Sequence, residues 1–341
     1  MAGILGIEYT LPPDILSNDI LAEEYKTWSS DKIAKKTGIT DRHIAGKGIT
    51  AADLGIEAAR KLIGSERVKK EEIDFLIFVT QTPDYILPPS ACMIQDALGL
   101  SKRCGSFDIN LGCSGFVYGL LVASGLVDSG IAKNVMLVTA ETYSKHINKR
   151  DKSTRTLFGD GAAATLIGSG GIRIGSFDYG TDGSGKDLLI IPAGGARKEK
   201  SDSTGVERDY DGNIRCENNL FMDGPGILDF TLREVPNSIE RLLKKERLDR
   251  SSVDLYVFHQ ANEYILRVLQ RKMDIEDKRF YVGLKKVGNT VSASIPIALK
   301  MAAEEGLLEE KKRVLLCGFG VGLSWGTTIL YSEEKNDFSE I

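Results

Sequence analysis

The chain has no pair of cysteines at metal-binding or redox spacing. Its five cysteines, Cys92, Cys104, Cys113, Cys216 and Cys317, are scattered and odd in number. That excludes a disulfide framework and a zinc site of the CxxC type, and it fits a reducing compartment. An excess of charge of one sign is also missing. Lys and Arg total 44 against 48 Asp and Glu, a formal charge of −4, so there is no basic stripe for nucleic acid and no polybasic patch for anionic lipid. No apolar run approaches the roughly 20 residues of a membrane span. The opening MAGILGIEYTLPPDIL lacks a basic leader and is broken by Glu8 and the Pro12–Pro13 pair, so it reads as a first strand and not a signal peptide. The expectation is a cytoplasmic globular protein with no nucleic-acid and no membrane partner.

What is present is alternation. Near-continuous apolar runs of strand length occur at Ile73–Thr80, Asn134–Glu141, Ala162–Ser169, Val253–Gln260 and Arg313–Gly320, the pattern of strands covered on both faces by helices. Helix-like segments such as ADLGIEAARKLIG and VPNSIERLLKKERL lie between them, which predicts α/β layers. The halves echo one another. ARKLIGSERVKKEEIDFLIFVTQT and IERLLKKERLDRSSVDLYVFHQAN share the order amphipathic helix, basic turn, polar step, buried strand, polar tip, as an internal duplication would produce. Between the halves, residues 194–219 are rich in charge, Gly, Ser and Asn without a period and read as a long surface excursion, a lid or flap.

Candidate chemistry lies in short stretches. In DINLGCSGFVYGL, Cys113 follows Gly112 where a strand end gives way to a small-residue helix; unpaired N–H groups and the helix dipole at such a position favour a thiolate. A lone cysteine there is more commonly a small buried hydrophobe. In VFHQANEYIL, His259 is one of only three histidines and stands just past a buried strand, where open α/β sheets collect functional groups, although a single histidine is more commonly structural. Gly288 and Asn289 in KKVGNTVSASIPIAL read alone as a turn or helix cap.

Taken together these stretches resemble the condensing enzymes of the thiolase superfamily, most closely the β-ketoacyl-acyl-carrier-protein synthase III group. KKTGITDRHIA, LPPSACMIQDALGL, DINLGCSGF, TLFGDGAAATLI, FHQAN, GNTVSASIP and GFGVGLSWGT follow in the family's order across nearly the whole chain. The polar residues read Cys, His, Asn. Chain-extending relatives would carry a second His where Asn289 stands, and thiolases would carry a further reactive Cys one residue away from Cys317, which reads as core.

The resemblance implies an α/β, thiolase-like fold of two similar halves, residues 1–170 and 171–341, in a five-layered αβαβα arrangement and a homodimer. It implies decarboxylative condensation of an acyl thioester primer with a malonyl thioester through an acyl-Cys113 intermediate, with His259 and Asn289 on the enolate and the backbone N–H groups of Cys113 and Val321 as the oxyanion hole. Val321 stands where relatives commonly place Gly or another small residue. Leu87 and Phe319 would line the acyl pocket, Leu87 from the partner subunit. No metal or redox cofactor is implied; coenzyme A or phosphopantetheine thioesters are substrates, and an acyl carrier protein is the expected partner. At the entrance, Lys32 and Lys36 replace the Trp and Arg that hold adenine in many relatives, so the stacking surface is expected to be missing. Lys152, Asn262, Arg267, Arg271 and Lys272 complete the carrier or coenzyme A entrance, and Tyr264 stands where carrier docking often uses an Arg. FGDG at Phe158–Gly161 lacks the lysine of a phosphate loop and reads as a structural turn. Two rivals remain at this point: transfer of the acyl group to a hydroxyl or amine, and a non-catalytic partner subunit, which would usually lack the cysteine.

Overall fold

The computed structural model describes residues 1–309, 311–332 and 338. Its strands are β1 (Ala2–Thr10), β2 (Phe75–Val79), β3 (Gly105–Ile109), β4 (Val135–Glu141), β5 (Gly161–Ser169), β6 (Ile172–Thr181), β7 (Leu255–Phe258), β8 (Arg313–Gly320) and β9 (Ser324–Tyr331). They join in the order β7-β8-β9-β6-β1-β5-β4-β2-β3. Pairing is parallel for β2 with β3 and β4 and for β7 with β8, and antiparallel elsewhere. The two halves of this sheet touch narrowly, through Gly3 opposite Arg173 and Ile4 opposite Ile172 on β1 and β6. The strand positions read from the apolar runs agree with β2, β4, β5, β7 and β8 to within about two residues.

The helices are α1 (Asn18–Tyr25), α2 (Ser30–Thr37), α3 (Ala51–Gly64), α4 (Ser90–Ala97), α5 (Gly115–Asp128), α6 (Lys152–Arg155), α7 (Gly224–Glu246), α8 (Glu263–Lys272) and α9 (Ser294–Glu304). Helices α3 and α4 cover one face of the first-half strands, α5 and α9 fill the middle, and α7, with α8 beside it, covers the second-half strands. That gives the five layers. GFVYGLLVASGLV makes α5 apolar on every side, as a helix between two sheets must be. Helix α3 starts with a reciprocal cap in which Thr50 Oγ1 accepts from Asp53 N–H and the Asp53 carboxylate accepts from Thr50 N–H.

Two segments differ from the sequence reading. Helix α7 begins at Gly224, well before VPNSIERLLKKERL, because the Asp223 side chain caps Gly226 N–H and a proline occupies the first turn. The 194–219 excursion contains a two-stranded ribbon, Arg208–Tyr210 paired with Asn213–Arg215, turning at Asp211 and Gly212, both with positive φ. The Asp-Gly pair is itself a hairpin signal. The ribbon lies against residues 148–153: Ile214 N–H donates to Arg150 O at 3.3 Å, Ser153 N–H to Asn213 Oδ1 at 3.2 Å, and Arg215 sits 3.6 Å from Asp151.

The second half meets the first backbone to backbone at Gly318 of β8, where an added methyl would stand 2.8 Å from both the Cys113 carbonyl oxygen and the Ser114 Cα. Both are backbone atoms and cannot swing aside. Gly318→Ala is expected to lower stability by about 1–3 kcal/mol, read as a fall in the urea midpoint; an unchanged midpoint would mean the two backbones do not constrain each other.

Candidate active site

Cys113 lies two residues before α5, with Ser114 at the helix cap, and its side chain is buried. A methyl on Gly320 would fall 2.9 Å from its sulphur, so β8 delivers its own end against the thiol. The N–H groups of Val321 and of Cys113 itself point to the sulphur. The following peptide is held by a relay: Ser324 Oγ–H donates to Val321 O at 2.8 Å, which leaves Ser114 as the donor in the 2.7 Å contact between the two hydroxyls. Burial pushes the Cys113 thiol up to about 12, outweighing the two N–H groups, with the Glu141 carboxyl adding to the rise. The thiolate expected from a helix start is therefore not the resting form, because the site is dry.

His259 stands just beyond β7, fully buried, with its ring edge-on to Phe319 at 5.5 Å between centroids. Burial holds its imidazole down to about 3, with a backbone bond at Val291 pulling the other way, so the ring is neutral. Its Nδ1 is 2.7 Å from Ser294 Oγ, which also accepts from Gln260 N–H at 3.4 Å. With Ser294 donating to Nδ1, the ring proton resides on Nε2.

Asn289 is clamped through its main chain, with N–H to Leu157 O at 2.9 Å and O from Gly159 N–H at 3.0 Å. Its Oδ1 accepts from Val291 N–H at 2.9 Å, which assigns the amide its orientation and leaves the Nδ2 donors for another group. Gly288 before it has φ 76° and packs on Arg42 and the Leu157 carbonyl. Arg42, fully buried, donates to Thr156 O and to Asn18 Oδ1. FGDG lies beside that loop, with Phe158 bridged to Asn289, and Asp160 accepts from Ala45 N–H, Ser144 N–H and Ser144 Oγ–H. It works as a turn that ties neighbouring segments.

The sequence reading missed several residues here. Glu141, at the end of β4, is buried and accepts from Gln81 N–H, the Thr80 and Thr82 hydroxyls and Ser292 Oγ–H; burial raises its carboxyl to about 8. Tyr143 O–H donates to Gln81 Oε1 at 2.5 Å, and Gln81 packs against Gly112. Glu141 ends an apolar strand, and a carboxylate in that place is a readable signal.

The other expected residues lie apart from the sulphur. Lys32 and Lys36 of α2 place their Nζ atoms 5.4 and 4.7 Å from the centre of the Trp28 ring, so an indole, supplied by the turn before α2, lies beside both lysines. Lys152 lies near Thr27 and the Tyr25 ring. Asn262 caps α8 through Ile265 N–H at 2.8 Å, and Arg267 is engaged by Glu263 and Asp277; helix structure occupies both. Arg271 and Lys272 lie in the last turn of α8, and Tyr264 is exposed. Leu87 is 78% exposed beside Ile86 at 96% and takes no part in its own chain's site. Cys317 is core: it lies in β8, and its carbonyl accepts from His259 N–H at 2.8 Å. Among the described residues, no group of three or more His, Cys, Asp or Glu could hold a metal ion.

Family models for 3-oxoacyl-[acyl-carrier-protein] synthase III match residues 107–183, and for its C-terminal part residues 243–332. A β-ketoacyl-[acyl-carrier-protein] synthase III of Clostridioides difficile is 39% identical over 96% of this chain and 98% of its own length. The chain belongs to the β-ketoacyl-acyl-carrier-protein synthase III family. The synthase III of Fusobacterium nucleatum is 37% identical over 96% of this chain and 98% of its own. A crystal structure of a 3-oxoacyl-(acyl-carrier-protein) synthase III superposes with TM-score 0.95 at 46% identity, covering 97% of this chain and 99% of that one. The corresponding enzyme of Pseudomonas aeruginosa gives 0.86 at 33%, covering 98% of each. The fold is thiolase-like, and the chain is an enzyme of the condensing, acyltransferase type.

In this synthase the buried thiol sets a testable pH dependence. Alkylation of Cys113 by iodoacetamide in the free enzyme should rise about tenfold per pH unit from pH 7 to 9 without levelling, since the thiolate fraction keeps growing below a pKa near 12. A plateau below pH 8 would contradict the burial argument.

Proposed function

We propose that Cys113, His259 and Asn289 carry out the condensation of an acyl thioester with a malonyl thioester, the reaction of the synthase III family. What supports this reading is packing around the sulphur: a methyl on Gly320 would fall 2.9 Å from it, Gly112 abuts Val321 and Val291, Val291 N–H orients the Asn289 amide, and the His259 ring lies on Phe319, one residue before Gly320. In the first step Cys113 Sγ attacks the primer's thioester carbonyl, the oxyanion lies on the Cys113 and Val321 N–H groups, and the carrier thiol leaves with the proton that Cys113 gives up. The malonyl thioester then loses carbon dioxide, and the electron pair of that bond becomes an enolate. The His259 Nε2–H and Asn289 Nδ2–H donate to its oxygen. The enolate carbon attacks acyl-Cys113, the carbon–sulphur bond breaks with its electron pair going to Sγ, the β-ketoacyl thioester departs, and the released thiolate takes a proton from solvent to restore the thiol. A neutral imidazole suits this role, because it donates without bringing a charge that must be desolvated. The steps use no metal or redox cofactor.

The reading extends to the assembly and the carrier. Two similar halves, divided near residue 170, form one subunit of a homodimer; the exposed Tyr85–Leu87 loop and the sheet-edge strand β3 are its contacts, and apolar loops and open edges of this kind call for a partner. Lys32, Lys36, Lys152, Arg271 and Lys272 face an acidic acyl carrier protein or the phosphates of coenzyme A, with Trp28 as the flat surface. A cytoplasmic location fits five free cysteines, and among the described residues no helix is long and apolar enough to cross a membrane.

Intact-mass measurement after incubation with acyl-coenzyme A and acyl-carrier thioesters tests the first step. The adduct should vanish in Cys113→Ser and persist in Cys317→Ser; an adduct surviving in Cys113→Ser removes the assignment. Asn289→Ala should keep the adduct yet slow carbon dioxide release by about a hundredfold or more, the loss of one oxyanion donor. Equal damage to both steps would defeat that division of roles. In the dimer, Leu87→Ala should admit primers a few carbons longer and Leu87→Phe only shorter ones; an identical chain-length profile in both would place Leu87 outside the acyl pocket.

A further inference from the structure

Val291 carries a conformational problem. It is a β-branched residue with φ 54°, completely buried, and the left-handed region is strained for such a side chain. A residue persists there only when its surroundings over-determine it. On one side, Val291 N–H donates to Asn289 Oδ1 at 2.9 Å. On the other, the next residue, Ser292, donates its hydroxyl to Glu141 Oε1 at 2.9 Å. Two residues further on, Ser294 contacts His259. One short loop therefore carries the Asn289 donor, the strained valine, the tie to Glu141 and the support of the imidazole.

Glu141 is built as an anchor. It is fully buried, and among the described residues no cation pairs with it. Its two oxygens receive Gln81 N–H at 3.2 and 3.1 Å, Thr82 Oγ1–H at 3.0 Å and Thr80 Oγ1–H at 3.4 Å, all from the turn that follows β2. A carboxyl removed from water and served only by neutral donors is a costly group to keep. A buried amide or a hydroxyl would close the same turn at lower cost. The feature that a carboxyl adds is capacity: it gathers the 80–82 turn of the first half and the 289–294 loop of the second on one rigid group.

We propose that Glu141 is a positioning residue for the decarboxylating half-reaction: through Ser292 it holds Val291 in its left-handed conformation and so keeps the Asn289 amide nitrogen on the enolate. The proposal rests on the assignment of Asn289 as an enolate donor. Releasing Ser292 lets Val291 relax toward negative φ, its N–H turns away from Asn289 Oδ1, and the amide loses its fixed orientation. The Cys113 and Val321 N–H groups that form the oxyanion hole point to the sulphur and belong to neither Glu141 nor Ser292.

Cys113 acylation, read by intact mass, and carbon dioxide release from a malonyl-carrier thioester on the acyl-enzyme are measured separately at fixed pH. Glu141→Ala should slow carbon dioxide release by about ten- to a hundredfold, the scale of a misplaced catalytic group, while acylation stays within about threefold. Glu141→Gln, whose amide oxygen still accepts from Ser292, should restore most of the rate. Adding Val291→Gly to Glu141→Ala should also recover carbon dioxide release, because glycine adopts positive φ without strain; a purely structural role for Glu141 gives no such rescue. Ser292→Ala removes only the tie and decides the matter if Glu141→Ala fails to fold: slowed release with intact acylation supports the proposal, and full rates overturn it. Asn289→Ala serves as the reference. If it leaves release unchanged, the donor assignment has failed; if it slows release while Ser292→Ala and Glu141→Ala do not, the role given to Glu141 has failed.

Discussion

Where the start of α5 crosses β8, Gly318 presents no side chain, and the Cys113 carbonyl and Ser114 Cα approach to 2.8 Å from the place a methyl would fill. Everything at the site depends on that backbone contact. It fixes Cys113 of one half against the strand end of the other, and the same strand continues through Gly320 to Val321, whose N–H meets the sulphur. A donor on a strand end and a thiol at a helix start keep their spacing because neither element can slide without a backbone collision.

Burial then sets the chemistry. The same exclusion of water pushes Cys113 up to about 12, drops His259 to about 3 and lifts Glu141 to about 8, so all three groups lean toward their uncharged forms. Neutral donors act more strongly in such a medium than in water, since their fields are not screened. The consequence is a thiol that stays protonated at rest, although the Cys113 and Val321 N–H groups at the sulphur pull the other way.

Helix α2 shows how chain position and spatial position separate. Lys32 and Lys36 stand where an aromatic and a guanidinium would be expected, yet Trp28, one helical turn earlier than Lys32, brings its ring beneath both ammonium groups. Stacking area and positive charge are both present in a different arrangement. Cation–π contact between an indole and lysines is worth about 0.5–1 kcal/mol at exposed sites.

Hydrophobic periodicity determined the layers, because a strand buried on both faces must be apolar throughout and α5, between two sheets, must be apolar all round; those demands are local and legible. The motif order determined the family, and with it Cys113, His259 and Asn289 as candidates. Other features depended on residues far apart in the chain. Glu141 and Ser292 are 151 positions apart, Ser114 and Ser324 are 210 apart, and no local pattern announces either pair. The left-handed Val291, the buried Arg42 under Gly288 and the ribbon laid on residues 148–153 are likewise decided by packing. A backbone conformation disfavoured by its own side chain can be selected only by contacts from elsewhere in the fold, which is why the orientation of the Asn289 amide belongs to the tertiary structure and its identity to the sequence.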